Sequence, residues 1–351
     1  LNRRLSEFSP SSGDAFAKTR KICKDKSLYL VVNRPTKFHC FGEGINMNKN
    51  RITRVAVVQG SPVFMNRDDT VEKVCGMIAD AAQNGAELVV FPEAFIPGYP
   101  DWVWLVPGSN GKELNELYVE LVANAVSIPD SATRKICETA GKANIMVAVG
   151  IHEKNTESSQ GSLYNSLLFI DKSGKIMGVH RKLIPTGGER LIWARGDGRT
   201  LYTFDTPIGR IGGLICWENF MPLARQSMYT SGAQILIAPT WDKSEKWLQS
   251  MCHIAREGGL FVVSCCMALT VKDIPERFSF RERYPADREW INVGNSCVIN
   301  PAGQFVAGPL EKKKEILYAD LDLEETVAAK RMFDAAGHYA RPDVFEFGVK
   351  S

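Results

Sequence analysis

From Ile52 onward the sequence alternates short apolar runs with amphipathic stretches, and this rhythm limits the fold more than any other feature. Ile52–Gln59, Glu87–Phe91, Ile145–Ile151, Ser162–Asp171 and Lys175–His180 read as strands. So do Leu201–Asp205, Arg210–Ile215, Gln234–Ala238 and Leu260–Cys265. Between them the helical spacing predicts helices over Asp68–Asn84, Glu113–Val126, Asp130–Ala143, Pro222–Ser231 and Lys243–Glu257. Strands near Ser296–Asn300, Gln304–Ala307 and Ile316–Asp320 follow, then a helix start near Leu323. The Asp171-Lys-Ser-Gly174 stretch is a hairpin signal, and residues 270–290, charged and aromatic without a period, read as a surface loop. Strands alternating with helices imply an α/β sheet covered by helices.

No linker, repeat or low-complexity tract divides residues 51–351, which read as a single catalytic domain. Residues 1–50 differ. They hold ten Lys/Arg against four Asp/Glu, so the body of the protein is mildly acidic although the whole chain carries +3. This segment is expected to be disordered, either as a targeting segment or as a translated upstream region with Met47 as the start; the second reading is preferred. A charge of +3 does not imply nucleic-acid binding, and no apolar run reaches the ~18–20 residues of a membrane span. Nine cysteines without framework spacing, no Asn-x-Ser/Thr acceptor and no signal-peptide core favour a reducing, cytoplasmic setting.

Three reactive residues share one local context. Glu93, Lys182 and Cys216 each stand at or just past the carboxyl end of an apolar strand, the edge at which α/β sheets bind ligands. A free thiol, with a pKa of ~8.5, needs help to ionise near neutral pH. A carboxylate can take its proton and pass it to a leaving nitrogen, while a lysine ammonium stabilises an anionic tetrahedral intermediate. The backbone N–H of Trp217 is placed to be a second donor. Each residue alone is as easily a core cysteine, a loop cap or a surface lysine; together they suit attack on an electrophilic carbon bonded to nitrogen.

The segments Glu87-Leu-Val-Val-Phe-Pro-Glu93, His180-Arg-Lys182 and Gly212-Gly-Leu-Ile-Cys-Trp-Glu-Asn219 resemble the three catalytic motifs of the nitrilase superfamily. The resemblance spans roughly Ile52 to Phe347. It implies a four-layer αββα sandwich, with Glu93 as general base and acid, Lys182 as intermediate stabiliser and Cys216 as nucleophile. It also implies a second acidic residue, Glu189, that orients the lysine or the attacking water. Cys-Trp-Glu-Asn at 216–219, Arg190–Gly198 and Gly337–Asp343 resemble the true nitrilase branch rather than its amidases or carbamoylases. Expected from this are a small nitrile as substrate, no metal or organic cofactor, and a homodimer or higher homo-oligomer. Many members of that branch carry a long tail beyond the His338–Asp343 segment, and since this sequence stops at Ser351 the resemblance leaves filament assembly open. Trp217 and Tyr99 are candidate substrate contacts, although Tyr99, Trp102 and Trp104 could equally be packing residues. His180 and at least one of Cys265 and Cys266 read as structural. An amidase or carbamoylase on the same scaffold, and a silent interaction subunit, remain the rivals.

Overall fold

A computed structural model describes residues 52–350, and the expectations for residues 1–50, Met47 included, lie outside these. The strands are β1 (Ile52–Gln59), β2 (Leu88–Val90), β3 (Met146–Lys154), β4 (Leu163–Ile170), β5 (Ile176–Arg181), β6 (Phe204–Thr206) and β7 (Gly209–Gly213). They continue with β8 (Ile235–Thr240), β9 (Phe261–Cys266), β10 (Ala268–Thr270), β11 (Trp290–Ile299), β12 (Phe305–Glu311) and β13 (Glu315–Asp322). The helices are α1 (Arg67–Gln83), α2 (Gly111–Ala123), α3 (Ser131–Ala143), α4 (Pro222–Thr230), α5 (Glu245–Gly258) and α6 (Glu324–Lys330). Their starts are written in the sequence. Asn66, Asn110 and Ser244 accept a hydrogen bond from a backbone N–H of the first turn, and Asp130 with Thr133 forms a capping box.

The strands form two sheets. One has the order β13-β1-β2-β3-β4-β5; the other runs β10-β11-β9-β8-β7-β6, with β12 paired to β11. β1, β2 and β3 are parallel neighbours, as are β7, β8 and β9. Because side chains alternate along a strand, each central strand serves two cores. In β1, Ala56 and Val58 join the core beneath α1 and α3, whereas Val55 and Val57 join the core between the sheets. In β8, Ile235 and Ile237 face that same inter-sheet core, and Leu236 and Ala238 join Met228 of α4 and Trp247 and Met251 of α5. Three stacked cores require four layers, and the architecture is an αββα sandwich.

Residues 270–290 are not a surface loop. Ile274, Phe278, Phe280 and Tyr284 are buried in the first core, and Phe278 stands edge-on to Phe64 with ring centroids 5.7 Å apart. Two 3-10 turns, Val271–Asp273 and Ser279–Arg283, deliver them. The interleaved Glu276, Arg277, Arg281 and Glu282 break any sequence period, and Arg277 instead pairs with Glu120 of α2.

Candidate active site

Glu93 follows β2 of the six-stranded sheet. The chain turns immediately after it, with Ala94 at φ +50°. This turn lies hard against β3 at Gly150, where a Cβ would collide with the Pro92 carbonyl oxygen and the Ala94 nitrogen. The Glu93 side chain is buried, and its Oε1 accepts hydrogen bonds from Asn165 Nδ2 and Lys182 Nζ, both at 2.7 Å. Its Oε2 has no hydrogen-bond partner among the described residues. Burial raises the Glu93 carboxyl above the ordinary range even though Lys182 opposes it.

Lys182 follows β5 and is fixed through its backbone. Its N–H donates to the Asn165 carbonyl at 2.8 Å, and its carbonyl accepts from Gly196 N at 2.8 Å. The buried ammonium bridges Glu93 and Glu189, donating to Glu189 Oε2 at 2.8 Å. Burial alone would pull it down; Glu93, Cys216 and Glu189 more than offset this, so it stays charged. Glu189 sits in the 3-10 turn Gly187–Leu191 and also accepts from Thr186 N at 2.7 Å and from the Tyr99 hydroxyl at 2.8 Å. Tyr99 stacks on Trp241 with ring centroids 4.3 Å apart, and Trp104 Nε1 donates to its oxygen at 3.3 Å.

Cys216 comes from the other sheet, past the end of β7, and is 4% exposed. Its φ of +53° lies in the left-handed region that a side chain adopts only at a cost of roughly 1–3 kcal/mol. The strain is held from both sides. Asn219 Nδ2 donates to the carbonyls of Leu214 and Cys216 at 2.7 and 2.9 Å. Glu218, fully buried, accepts from Ile215 N at 2.7 Å, Leu183 N at 2.6 Å and His180 Nε2 at 2.9 Å. One carboxylate thus clamps the residue before Cys216 to the residue after Lys182. Burial opposes a charge on His180, yet Glu218 outweighs it and raises the imidazole, which is held between Glu218 and Thr200. Burial, reinforced by Glu93, pushes the Cys216 thiol far up, so it rests as a neutral thiol.

The structure therefore brings Glu93, Lys182, Glu189 and Cys216 together. Tyr99 is present, but its hydroxyl is engaged by Glu189. The Trp217 indole is half-exposed and donates to Asp242 at 2.9 Å, away from the charged cluster's hydrogen bonds. Cys265 and Cys266 are both core residues. Asn165 and Thr240, whose hydroxyl donates to Cys216 Sγ at 3.2 Å, went unnoticed in the sequence, and Glu218 was noted there only as part of the Cys-Trp-Glu-Asn motif. Asn165 was findable: a polar amide inside the apolar run Leu163–Ile170 must have a buried partner. Among the described residues, no group of three or more His, Cys, Asp or Glu could hold a metal ion.

A carboxylate, a lysine and a cysteine gathered at strand ends of an αββα sandwich define a class of hydrolase, and comparison with known proteins agrees. The carbon-nitrogen hydrolase family matches residues 54–331, and the chain belongs to it. Nitrilases are among the family members it resembles. Nitrilase 2 of Arabidopsis thaliana is 42% identical over 305 residues, which cover 85% of this chain and 88% of that protein. An aliphatic nitrilase of Sinorhizobium fredii (strain HH103) is 42% identical over 298 residues, 84% of this chain and 95% of the other. The crystal structure of Saccharomyces cerevisiae Nit3, a member of branch 10 of the nitrilase superfamily, superimposes with a TM-score of 0.66 at 20% identity. It covers 83% of this chain and 97% of its own, and speaks for the fold.

Proposed function

We propose that this chain hydrolyses a small nitrile to the carboxylic acid and ammonia, with Cys216 as nucleophile, Glu93 as general base and acid, and Lys182 as electrostatic stabiliser. The observation that carries the reading is the division of labour on Glu93. Lys182 and Asn165 hold one oxygen, and the other stands unpartnered in a site whose thiol is neutral.

The steps follow from that arrangement. Glu93 takes the thiol proton as Cys216 Sγ bonds to the nitrile carbon. The C≡N electron pair moves to nitrogen, which takes the proton, and a thioimidate forms. Water adds with Glu93 as base, the nitrogen is protonated and leaves as ammonia, and a thioester remains. A second water releases the acid and restores the thiol. Throughout, the Lys182 ammonium favours charge developing on the attacked group, a contribution of about 2.7–4 kcal/mol for one such donor. Glu189 is a positioning residue that anchors Lys182, and Tyr99 acts through Glu189. Trp217, half-exposed with its indole donating to Asp242, is the remaining candidate substrate contact.

The same reading places the enzyme in a reducing cytoplasmic compartment, as a homodimer or larger homo-oligomer. Exposed Trp217 and Phe220 on the 3-10 turn Cys216–Phe220, with exposed Leu223 in the first turn of α4, support self-association. The test is ammonia release from matched nitriles and amides, with Cys216→Ala as control. Nitrile turnover by wild type alone, yielding mainly acid, is expected. Turnover of amides only would move the chain to the amidases, and full activity in Cys216→Ala would overturn the nucleophile.

A further inference from the structure

β8 reads Ile-Leu-Ile-Ala-Pro-Thr, and its last residue, Thr240, is fully buried. A buried hydroxyl must find partners. Thr240 Oγ1 accepts the Asp242 backbone N–H at 2.9 Å, which leaves its single proton to be placed elsewhere. The hydroxyl donates it to Cys216 Sγ at 3.2 Å. Its position is fixed by the turn that follows. Asp242 Oδ1 accepts from Ser244 N at 2.8 Å, and Asp242 Oδ2 accepts from the indole of Trp217, the neighbour of Cys216, at 2.9 Å. The strand end that carries the hydroxyl is therefore tied to the segment that carries the sulfur.

We propose that Thr240 is a further catalytic residue, whose hydroxyl hydrogen-bonds the Cys216 sulfur and stabilises it whenever the reaction places negative charge there. This rests on the reading of Cys216 as the nucleophile. Charge reaches sulfur twice. In the first step the S–H bond breaks, its proton goes to Glu93 and its electron pair attacks carbon. In the last, the C–S bond of the tetrahedral thioester adduct breaks and the pair returns to sulfur. A donor in a water-poor site assists both events. Thiolate stabilisation has a cost, since nucleophilicity falls as basicity falls with a Brønsted coefficient of ~0.4–0.5. Each unit by which the thiol pKa is lowered still raises the thiolate fraction about tenfold, so the net gain is about threefold in attack. Burial and Glu93 hold this thiol far above neutral pH, which is the regime in which such a donor helps.

The experiment uses Thr240→Val, close in shape and without the hydroxyl, and Thr240→Ser, which keeps it. Two quantities are read on the intact protein: nitrile turnover, and the pH dependence of Cys216 alkylation by iodoacetamide, resolved at that residue by peptide mass spectrometry. Thr240→Val is expected to shift the alkylation profile to higher pH and to lower kcat about three- to tenfold with KM little changed, the scale of a hydrogen bond to a charged group discounted for the nucleophilicity that the more basic sulfur regains. Thr240→Ser restores both. Should the valine methyl beside Asp242 N prevent folding, Thr240→Ala gives the same comparison without crowding. Wild-type alkylation and kcat in Thr240→Val or Thr240→Ala, with Cys216 alkylation still abolishing turnover, would overturn the Thr240 proposal alone. Turnover that survives complete Cys216 alkylation in the wild type would overturn the nucleophile reading instead.

Discussion

The six-stranded sheet and the seven-stranded sheet contribute opposite things to the site. From the first come Glu93, the Lys182 ammonium and, on the following turn, Glu189, all buried and bound to one another. From the second come a neutral thiol on a left-handed backbone and a threonine hydroxyl. One side supplies the ammonium and the two carboxylates that hold it; the other supplies an uncharged reactive group on a strained backbone. Buried charges are tolerable only in company, so the first side must be intact for the fold as well as for the reaction. The second side can lose its reactive atom without leaving a charge uncompensated. Catalysis and stability should therefore separate on one side and not on the other.

The sharpest way to break that contrast is Lys182→Met beside Cys216→Ala. Both should abolish turnover. The lysine variant leaves Glu93 and Glu189 buried without their cation and should lose about 3–5 kcal/mol in urea unfolding. Cys216→Ala should stay within about 1 kcal/mol of wild type. Equal unfolding midpoints for the two would end the distinction.

A second test concerns the pH dependence of the charged side, where two buried histidines behave oppositely. His152 accepts from Trp193 Nε1 at 3.1 Å, so its other nitrogen donates to the Gly98 carbonyl at 2.9 Å, and burial lowers its pKa to about 4. The unfolded chain, with an ordinary value near 6.5, binds a proton that the folded protein refuses. Stability is therefore lost as pH falls from about 6.5 to about 4, by roughly 3 kcal/mol at ~1.4 kcal/mol per unit. Removing the titration with His152→Asn should flatten that slope in chemical unfolding; an unchanged slope would assign it elsewhere. His180, raised by Glu218, has the reverse sign. Its contribution is complete below about 6.5 and fades as pH climbs through its raised folded value.

The smallest effect tests the strain. Glycine at position 216 removes the Cβ that makes φ +53° costly, so Cys216→Gly should be more stable than Cys216→Ala by about 1 kcal/mol. An alanine variant as stable as the glycine one would mean that the backbone stores nothing there.

Much of this was legible in the sequence because it is local. The strand over Ile52–Gln59 was read to the residue, and the helices to within a few, since period and caps decide them. The positions of Glu93, Lys182 and Cys216 at strand ends were equally visible. Thr240 occupies the same kind of position at the end of β8, yet its meaning depends on β7 and β8 being parallel neighbours, which no local pattern states. The assignment of Trp217 by its proximity to Cys216 along the chain was less informative. After a left-handed residue the chain enters a 3-10 turn, and the indole goes to Asp242. In residues 270–290 alternating charges concealed Phe278 and Phe280, whose burial is set by Phe64 from far along the chain.

The Glu218 carboxylate touches the backbone on both sides of the boundary between the sheets. Reactive geometry is consequently a property of how the two sheets sit on each other, and the inter-sheet core is part of the enzyme's precision. The side-chain ends of Leu167 and Phe169 lie so close to Gly213, in the strand leading to Cys216, that a Cβ added there would have to displace both. A change of volume at either residue is therefore felt by the strand that carries Cys216, which ties these two apolar side chains, remote from the charged groups, to the setting of the thiol.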